Sequence, residues 1–486
     1  MQLKVLCMGK YEAVIGLEVH AQLHTVSKLF SGDATNFNAL PNQHVGPITL
    51  GHPGTLPKMN KKAVELAIKM GLVCGCEIST NNYFARKNYF YADLPKGFQI
   101  SQHTTPICRG GLVHINTTNG SRDIQLTRIH LEEDAGKSIH DQDDALTLLD
   151  FNRAGMPLIE IVSEPDMHSS EEAAAYLTQI RKLVRWIGVC DGNMEEGSLR
   201  CDANISVRPV GSRTLGTRVE VKNLNSIKHL RHAVEIEIER LTALSEKGET
   251  ILQETRSYDA DAGITFSIRT KEDAEDYRYF PEPDLAPFQF TEQYIGELKN
   301  QIPLLPAELS NKFINEYGLS SYDAEQLTDE KELCDLYEEV ARHTIYKKQL
   351  ANILLGPLKS LLNQSSTQWN SIHISATHWN ELLILIAEGT INFSMAAQKI
   401  LPRMMADPAV SPTVLIQQLD LVQDADADQL QGWAKQALDA MPDKVMAYKK
   451  GKKGLIGLFV GEVKKYSKGK ADPKQVTAIL ESLLHQ

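Results

Sequence analysis

The stretch Ser198-Leu199-Arg200-Cys201-Asp202-Ala203-Asn204-Ile205-Ser206-Val207-Arg208 alternates polar and apolar residues without a break. In a strand, residues i and i+2 share one face, about 6.6 Å apart. Leu199, Cys201, Ala203, Ile205 and Val207 therefore form an apolar face, opposite Ser198, Arg200, Asp202, Asn204, Ser206 and Arg208. Val14 to Leu23 has the same texture, with Leu17, Val19, Ala21 and Leu23 against Glu18, His20 and Gln22. Arg218, Glu220 and Lys222 share a face opposite Val219 and Val221, Glu160 and Glu164 flank Val162, and Ile124 to Asp134 ends in Glu132-Glu133-Asp134. Any one of these strands, taken alone, reads as the solvated face of an antiparallel sheet. The set is unusual because its polar faces repeat Glu, Asp, His, Asn and Arg rather than Thr, Lys and Ser. Carboxylates beside an imidazole suit a hard divalent cation such as Mg²⁺. Arg and Lys beside them suit phosphate oxygens. The expectation is a sheet whose concave face holds metal and phosphate.

Outward from these strands, three textures divide the 486 residues, a length that suits several domains at about 150 residues each. Residues 1–290 are strand-rich, with two clear helices. Ser169 and Glu172 have capping-box spacing at the start of one, which runs to Gly188. The other spans Ser226 to Leu244, with Ile227, Leu230, Val234, Ile238 and Leu241 at helical spacing before Gly248. Residues 291–405 carry helical periodicity. Ser411-Pro412, a cap followed by proline at the first helical position, opens a third helical region over 411–486, and Asp472-Pro473 repeats the device. The expected fold class is α+β.

The formal net charge of −11 argues against a general nucleic-acid coat, so any such contact must be local. Lys444 to Lys474 supplies a candidate: ten lysines against Glu462 and Asp472, with Tyr448 and Tyr466 interleaved and Gly457 and Gly461 placed for close helix approach. A solvated basic helix face has the same appearance. No apolar run reaches the roughly 20 residues that span a bilayer. The N-terminal residues do not read as a secretion signal, and seven scattered cysteines suit reduced thiols, so the expected location is the cytoplasm. Ala135-Gly136-Lys137-Ser138 fails as a P-loop, because the first glycine would fall at Leu131. No nucleophile elbow or glutaminase-type cysteine is present, so ammonia, if used, must be made elsewhere.

Longer motifs carry a resemblance. Ile15-Gly16-Leu17-Glu18-Val19-His20, Lys87-Asn88-Tyr89-Phe90-Tyr91-Ala92-Asp93-Leu94-Pro95-Lys96-Gly97, His130-Leu131-Glu132-Glu133-Asp134-Ala135-Gly136-Lys137, Glu196-Gly197-Ser198-Leu199-Arg200-Cys201-Asp202 and Tyr277-Arg278-Tyr279-Phe280-Pro281-Glu282 resemble the B subunit of aspartyl/glutamyl-tRNA amidotransferases, the GatB family. The likeness extends through Tyr322-Asp323-Ala324 to the lysine-rich tail. It implies a β-rich cradle, a helical domain and a small helical tail that binds tRNA. It implies a heterotrimer with an amidase A subunit and a small C subunit. ATP and Mg²⁺ would phosphorylate the side-chain carboxylate of Asp-tRNA(Asn) or Glu-tRNA(Gln), and ammonia from the A subunit would displace the phosphate.

By motif position, Glu18, His20, Glu132, Glu133, Glu160 and Asp202 match residues around the family's metal sites, with His20 and Glu133 the expected Mg²⁺ pair. Lys87, Tyr89 and Lys96 match the place where the ammonia path meets the kinase site. Lys137, Arg153, Ser198, Arg200 and Lys222 are candidates for phosphate or ATP, with structural ion pairs the competing role for Arg153 and Lys222. Many relatives bind zinc through two cysteine pairs after the first strand. Here those stretches read Phe30-Ser31-Gly32-Asp33 and Val45-Gly46-Pro47-Ile48-Thr49, so no zinc is expected, and Pro41, Pro47, Pro53 and Pro57 are expected to hold the loop by packing. Two rivals are a non-catalytic tRNA-docking subunit and a stand-alone metal-dependent hydrolase. Docking alone does not call for clustered acids, and no HExxH-type motif is present.

Overall fold

The computed structural model describes residues 10–140, 142, 145–270, 277–421, 427–467, 471 and 473–485. The chain forms two compact units, Met1–Leu305 and Pro306–Gln486, in an α+β fold with the large sheet in the first.

Alternation builds that sheet. Strand β1 (Tyr11–Gln22) lies between β5 (Pro157–Ser163) and β6 (Leu199–Pro209), antiparallel to both. The labels in between are β2 (Ala85–Asn88) and β3 (Phe98–Ser101), a separate antiparallel pair, and β4 (Gly120–Glu133), which lies outside β5. On the other side follow β7 (Val219–Lys222), β8 (Glu254–Asp259) and β9 (Ile264–Thr270), with β7 and β8 parallel. The inward residues Ile15, Leu17, Val19, Ala21, Leu199, Cys201, Ala203, Ile205, Val219 and Val221 are buried together. Full burial of each large aliphatic contributes about 1.5–3 kcal/mol, which outweighs the weaker preferences of single strand residues.

Three helices share that core: α1 (Lys61–Val73), α2 (Ser170–Trp186) and α3 (Ile227–Lys247). Ser169 accepts from the Glu172 backbone N–H, and the Glu172 carboxylate accepts from the His168 N–H, so this capping box closes one residue outside the cap. Ser226 caps α3, and Gly248 ends it at φ 72°, a left-handed conformation that glycine adopts without a Cβ penalty. The first unit extends through Leu305 because the helix Glu292–Lys299 returns to α1, where the Tyr294 hydroxyl donates to Glu65 at 3.2 Å. A bulge at Val162/Ser163 turns Glu164 out of the pattern expected from sequence. Its carboxylate accepts from Thr127 Oγ1 at 2.8 Å instead.

The second unit is helical in its described residues. Its tail packs α4 (Ala427–Asp439), α5 (Ile456–Tyr466) and α6 (Pro473–His485) around Leu430, Ala434, Phe459, Val463, Val476 and Leu480. Ser411 caps Pro412–Gln418 as its sequence predicts. Asp472, Lys468 and Lys470 lie outside the described residues. Lys444, Lys449, Lys450, Lys452, Lys453, Lys464 and Lys465 are exposed. Gly457 and Gly461 do not serve close helix approach: both are exposed, and a Cβ on either would meet nothing within 4 Å.

The loop after β1 also departs from expectation. Pro41, Pro47 and Pro53 are exposed and only Pro57 is half-buried, so packing of the four prolines is not the main tie. The Asp33 carboxylate is: it accepts from Ser31 Oγ at 3.0 Å, the Gly46 N–H at 2.9 Å and Thr49 Oγ1 at 2.5 Å. Buried Lys28 adds a bond from Nζ to the His44 carbonyl at 2.7 Å. Burial works against ionised Asp33, but the bonds from Thr49, Gly46 and Ser31 outweigh it and hold the carboxyl below its ordinary value of 3.8. The resulting stabilisation is complete above pH 3.8 and is lost as pH falls through the lower folded value. Asp33→Ala is expected to destabilise the first unit by about 2 kcal/mol. Limited proteolysis within residues 31–57 should accelerate on acidification below pH 3.8 in the parent chain and stay flat with pH in the variant.

Candidate functional site

Register carries the polar residues of distant segments into rows. His130 on β4 pairs with Glu160 on β5, Glu160 with His20 on β1, and His20 with Arg200 on β6. The neighbouring row runs Arg128, Val162, Glu18 and Asp202. Glu220 on β7 lies opposite Asn204. Because β-strand side chains alternate, these groups share the face turned away from the helices. Of them, Glu18, His20, Glu160, Arg200, Asp202 and Glu220 line a cavity of about 650 Å³ together with Lys87, Tyr89, Gln99, Glu132, Asp134, Arg218, Lys222, Asn223, Asn225, Arg269 and Tyr277.

Two clusters have atoms close enough to share a cation. The first is His20, Glu132 and Glu160; the second is Glu18, Asp202 and Glu220. In the first, His20 Nε2 lies 3.6 Å from Glu132 and 3.4 Å from Glu160, while His130 Nε2 faces the same carboxylates at 3.5 and 3.4 Å. Burial pulls the His20 imidazole down, but Glu160 and Glu132 outweigh it and raise it to about 9. His130 is raised to about 9 against the same burial by Glu160 and Glu132. Burial opposes ionised Glu160, yet His130 and His20 hold it well below the usual carboxylate range. The second cluster is less compensated. Burial, then repulsion from Glu160 and Asp202, raises Glu18. Lys222 Nζ meets Asp202 at 2.5 Å and Glu220 at 3.1 Å, and these partners raise its amine despite burial. The oxygen-rich second cluster and the mixed nitrogen–oxygen first cluster both fit Mg²⁺ or Mn²⁺.

Anion-binding groups border the acids. Arg200 donates from Nη2 to Asp134 at 2.8 Å, while its buried Nε has no hydrogen-bond partner among the described residues. A buried unsatisfied guanidinium donor is costly, and a ligand oxygen would relieve it. Lys87 Nζ sits 4.7 Å over the Tyr277 ring and 5.5 Å over that of Tyr89. The Tyr89 hydroxyl, held protonated by burial and by Glu132, Asp134 and Glu133, donates to Gln99 at 3.2 Å. Gln99 Nε2 then donates to the Glu133 carbonyl at 2.7 Å.

Residues 13–296 match the family model described as the GatB/GatE catalytic domain, and residues 335–484 match one described as a GatB domain. The chain belongs to the GatB family. It is 47% identical to the B subunit of aspartyl/glutamyl-tRNA(Asn/Gln) amidotransferase from Thermodesulfovibrio yellowstonii, over 98% of this chain and 100% of that protein. It is 46% identical to the protein of the same name from Oleidesulfovibrio alaskensis over 98% and 100%. With that of Alkalilimnicola ehrlichii it shares 47% over 98% and 99%.

Of the residues marked from GatB-like motifs, the structure brings Glu18, His20, Glu132, Glu160, Asp202, Arg200, Lys222, Lys87 and Tyr89 to one cavity. Glu133 is not among its lining residues. It follows Glu132 in β4 and therefore faces the other way, where its carboxylate binds Lys96 Nζ and accepts from the Ile100 N–H at 2.9 Å. Glu132, not Glu133, is the carboxylate that the structure sets beside His20, at 3.6 Å. Lys137 is exposed on a hairpin strand, Lys137–Ile139, paired with Leu148–Asp150. Arg153 clamps its own neighbourhood, donating to the Ala135 and Gly136 carbonyls and pairing with Asp134 at 3.3 Å. Ser198 bonds Asp191 at 3.2 Å and lines a different cleft. None of these three lines the cavity.

His130 and Glu220 carry a sequence signal of their own, since each stands two residues from a motif candidate on the same strand face. Tyr277 opens a motif quoted above but is not singled out within it, and Arg269 carries no signal, because it arrives from a segment that meets the cavity only through the fold. The two-cluster geometry has a direct consequence. Glu132→Gln is expected to weaken Mn²⁺ binding, followed by electron paramagnetic resonance, by at least about tenfold, whereas Glu133→Gln leaves it unchanged.

Proposed function

We propose that this chain activates the side-chain carboxylate of Asp-tRNA(Asn) or Glu-tRNA(Gln) with ATP, as the B subunit of a glutamine-dependent amidotransferase with an amidase A subunit and a small C subunit. The observation that carries this reading is the convergence of two acid clusters with Arg200, Lys222 and Lys87 in one open cavity. A carboxylate resists amidation because oxide is a poor leaving group. Phosphorylation supplies a good one, but the acyl phosphate is prone to hydrolysis and needs shelter from water. Phosphoryl transfer depends mainly on positioning and on cationic stabilisation of the transferred group.

Glu18, Asp202, Glu220, His20, Glu132 and Glu160 would hold the divalent cations, whose chemistry is to offset charge on phosphate oxygens. Arg200 and Lys222 orient phosphate beside the acids. Lys87 and Tyr89 line the same cavity, from which the Tyr89–Gln99–Glu133–Lys96 connection leads away. In this reading that connection borders the entry of ammonia, which must arrive unprotonated to attack, with Lys87, Tyr89 and Lys96 as its gate. The exposed lysines of the tail give the tRNA backbone a place to dock in an otherwise acidic chain. Among the described residues no helix is long and apolar enough to cross a membrane.

Two experiments test the proposal, both on the full chain co-expressed with candidate A and C subunits. His20→Ala is expected to keep tRNA binding while ATP-dependent amidation of both mischarged tRNAs falls by roughly 10²–10³-fold. Unchanged amidation would remove His20 from the site, and lost binding with intact amidation of saturating tRNA would favour a docking role. Reversing Lys449, Lys452 and Lys453 to Glu should weaken tRNA binding and lower the slope of log affinity against log salt by about one for each phosphate no longer neutralised. An unaltered slope would place tRNA elsewhere.

A further inference from the structure

The turn leading out of β2 exposes two aromatic rings beside the cavity. Phe90 is 90% exposed and Tyr91 56%, in a chain that buries most of its large apolar side chains. The turn itself is well built. Leu94 is buried, its N–H donates to the Tyr91 carbonyl at 3.0 Å, and the Gly97 N–H donates to the Leu94 carbonyl at 3.0 Å. Gly97 has φ 73°, and a Cβ there would lie 3.2 Å from Phe90 Cε1, so the absence of a side chain at Gly97 lets the Phe90 ring lie across it. Tyr91 connects the rim to the cavity. Its ring packs edge-on against Tyr89 with centroids 5.7 Å apart, and its hydroxyl accepts from Arg269 Nη1 at 3.3 Å. Tyr89 and Arg269 both line the cavity. The ring series continues from Tyr89 to Tyr277 at 6.0 Å, beneath the Lys87 ammonium.

We infer that Phe90 and Tyr91 form a stacking platform for the unpaired terminal base of the tRNA acceptor end, placed so that the esterified amino acid reaches the acid clusters. This inference rests on the function proposed above. The carboxylate to be activated ends the short side chain of an amino acid whose α-carboxyl is esterified to the terminal ribose. If it enters the cavity, the terminal nucleoside must sit at the rim. An unpaired base offers a π-face that a phenyl or phenol ring stacks on regardless of sequence, and nearby Lys and Arg suit the adjoining phosphates. The rim has this combination: Arg269 donates to Tyr91, and Lys87 lies over the Tyr89 and Tyr277 rings that continue the series. A purely apolar protein partner would gain nothing from the two cations. Phe90 and Tyr91 act here as positioning residues, with no part in the transfer itself.

The test uses the full chain with its co-expressed partner subunits and tRNA carrying 2-aminopurine as the terminal base. A second tRNA lacks the terminal nucleotide. With the parent chain, binding should quench the 2-aminopurine fluorescence, and removing the terminal nucleotide should cost roughly tenfold in affinity. Phe90→Ala should abolish most of the quench and weaken full-length tRNA roughly tenfold, yet leave the truncated tRNA unaffected; Phe90→Trp should restore both. The side chain is exposed, so the melting temperature should not change. Retained quench in Phe90→Ala, or equal weakening of both tRNAs, would overturn the inference while leaving the proposed function standing. Loss of partner-subunit co-purification with the quench intact would assign the rings to a protein contact and overturn it as well. Failure of the parent chain to bind either tRNA would remove the functional reading itself, and the platform with it.

Discussion

The period-two alternation of β1 constrains everything else in the first unit. Val19 and His20 are neighbours in sequence, yet one is buried in the helix-covered core and the other faces the cavity. A slip of one residue in pairing would exchange these faces, placing Glu18 and His20 against α2 and α3 and exposing Leu17 and Val19. Burying an unpaired carboxylate costs several kcal/mol, more than any single aliphatic burial returns, so the register that assembles the core also assembles the site. Fold and chemistry are two faces of one constraint.

That constraint gathers charges that repel one another, and the structure compensates them unequally. In the first cluster, two carboxylates face two imidazoles, His20 and His130, at 3.4–3.6 Å. In the second, Lys222 pairs with two of the three carboxylates, Asp202 and Glu220. Glu18 bears the imbalance: burial and its acidic neighbours raise it, and the bond from Asn204 at 2.9 Å only partly offsets this. An added divalent charge has most to stabilise at Glu18, Asp202 and Glu220. Near His20 and Glu132 it must compete with the existing imidazole contacts.

Much of this arrangement is legible in sequence because alternation is local. The faces of β1 and β6, the caps at Ser169, Ser226 and Ser411, and the helical texture of the second half all follow from neighbouring residues. Partner choice is not local. Motif position marks both Glu132 and Glu133, and the preferred one faces Lys96, because only the pairing of β4 with β5 decides which of two adjacent acids meets His20. The bulge that removes Glu164, and the loop contacts that occupy Arg153, depend likewise on backbone geometry that residue spacing does not encode.

The loop after β1 makes the same point about substitution. Thiolates at positions 31, 33, 46 and 49 would suit a metal, and a reading confined to residue type stops at their loss. In space Ser31, Asp33, Gly46 and Thr49 still meet, with one carboxylate accepting from the other three. A metal tie gains its strength from coordination bonds; this one gains it from charge-assisted hydrogen bonds, each weaker but jointly able to fix the loop geometry. The crossing point is a property of the fold, since these segments approach each other before α1 and Lys28 anchors the same loop from the core side. Different side chains can therefore close one crossing.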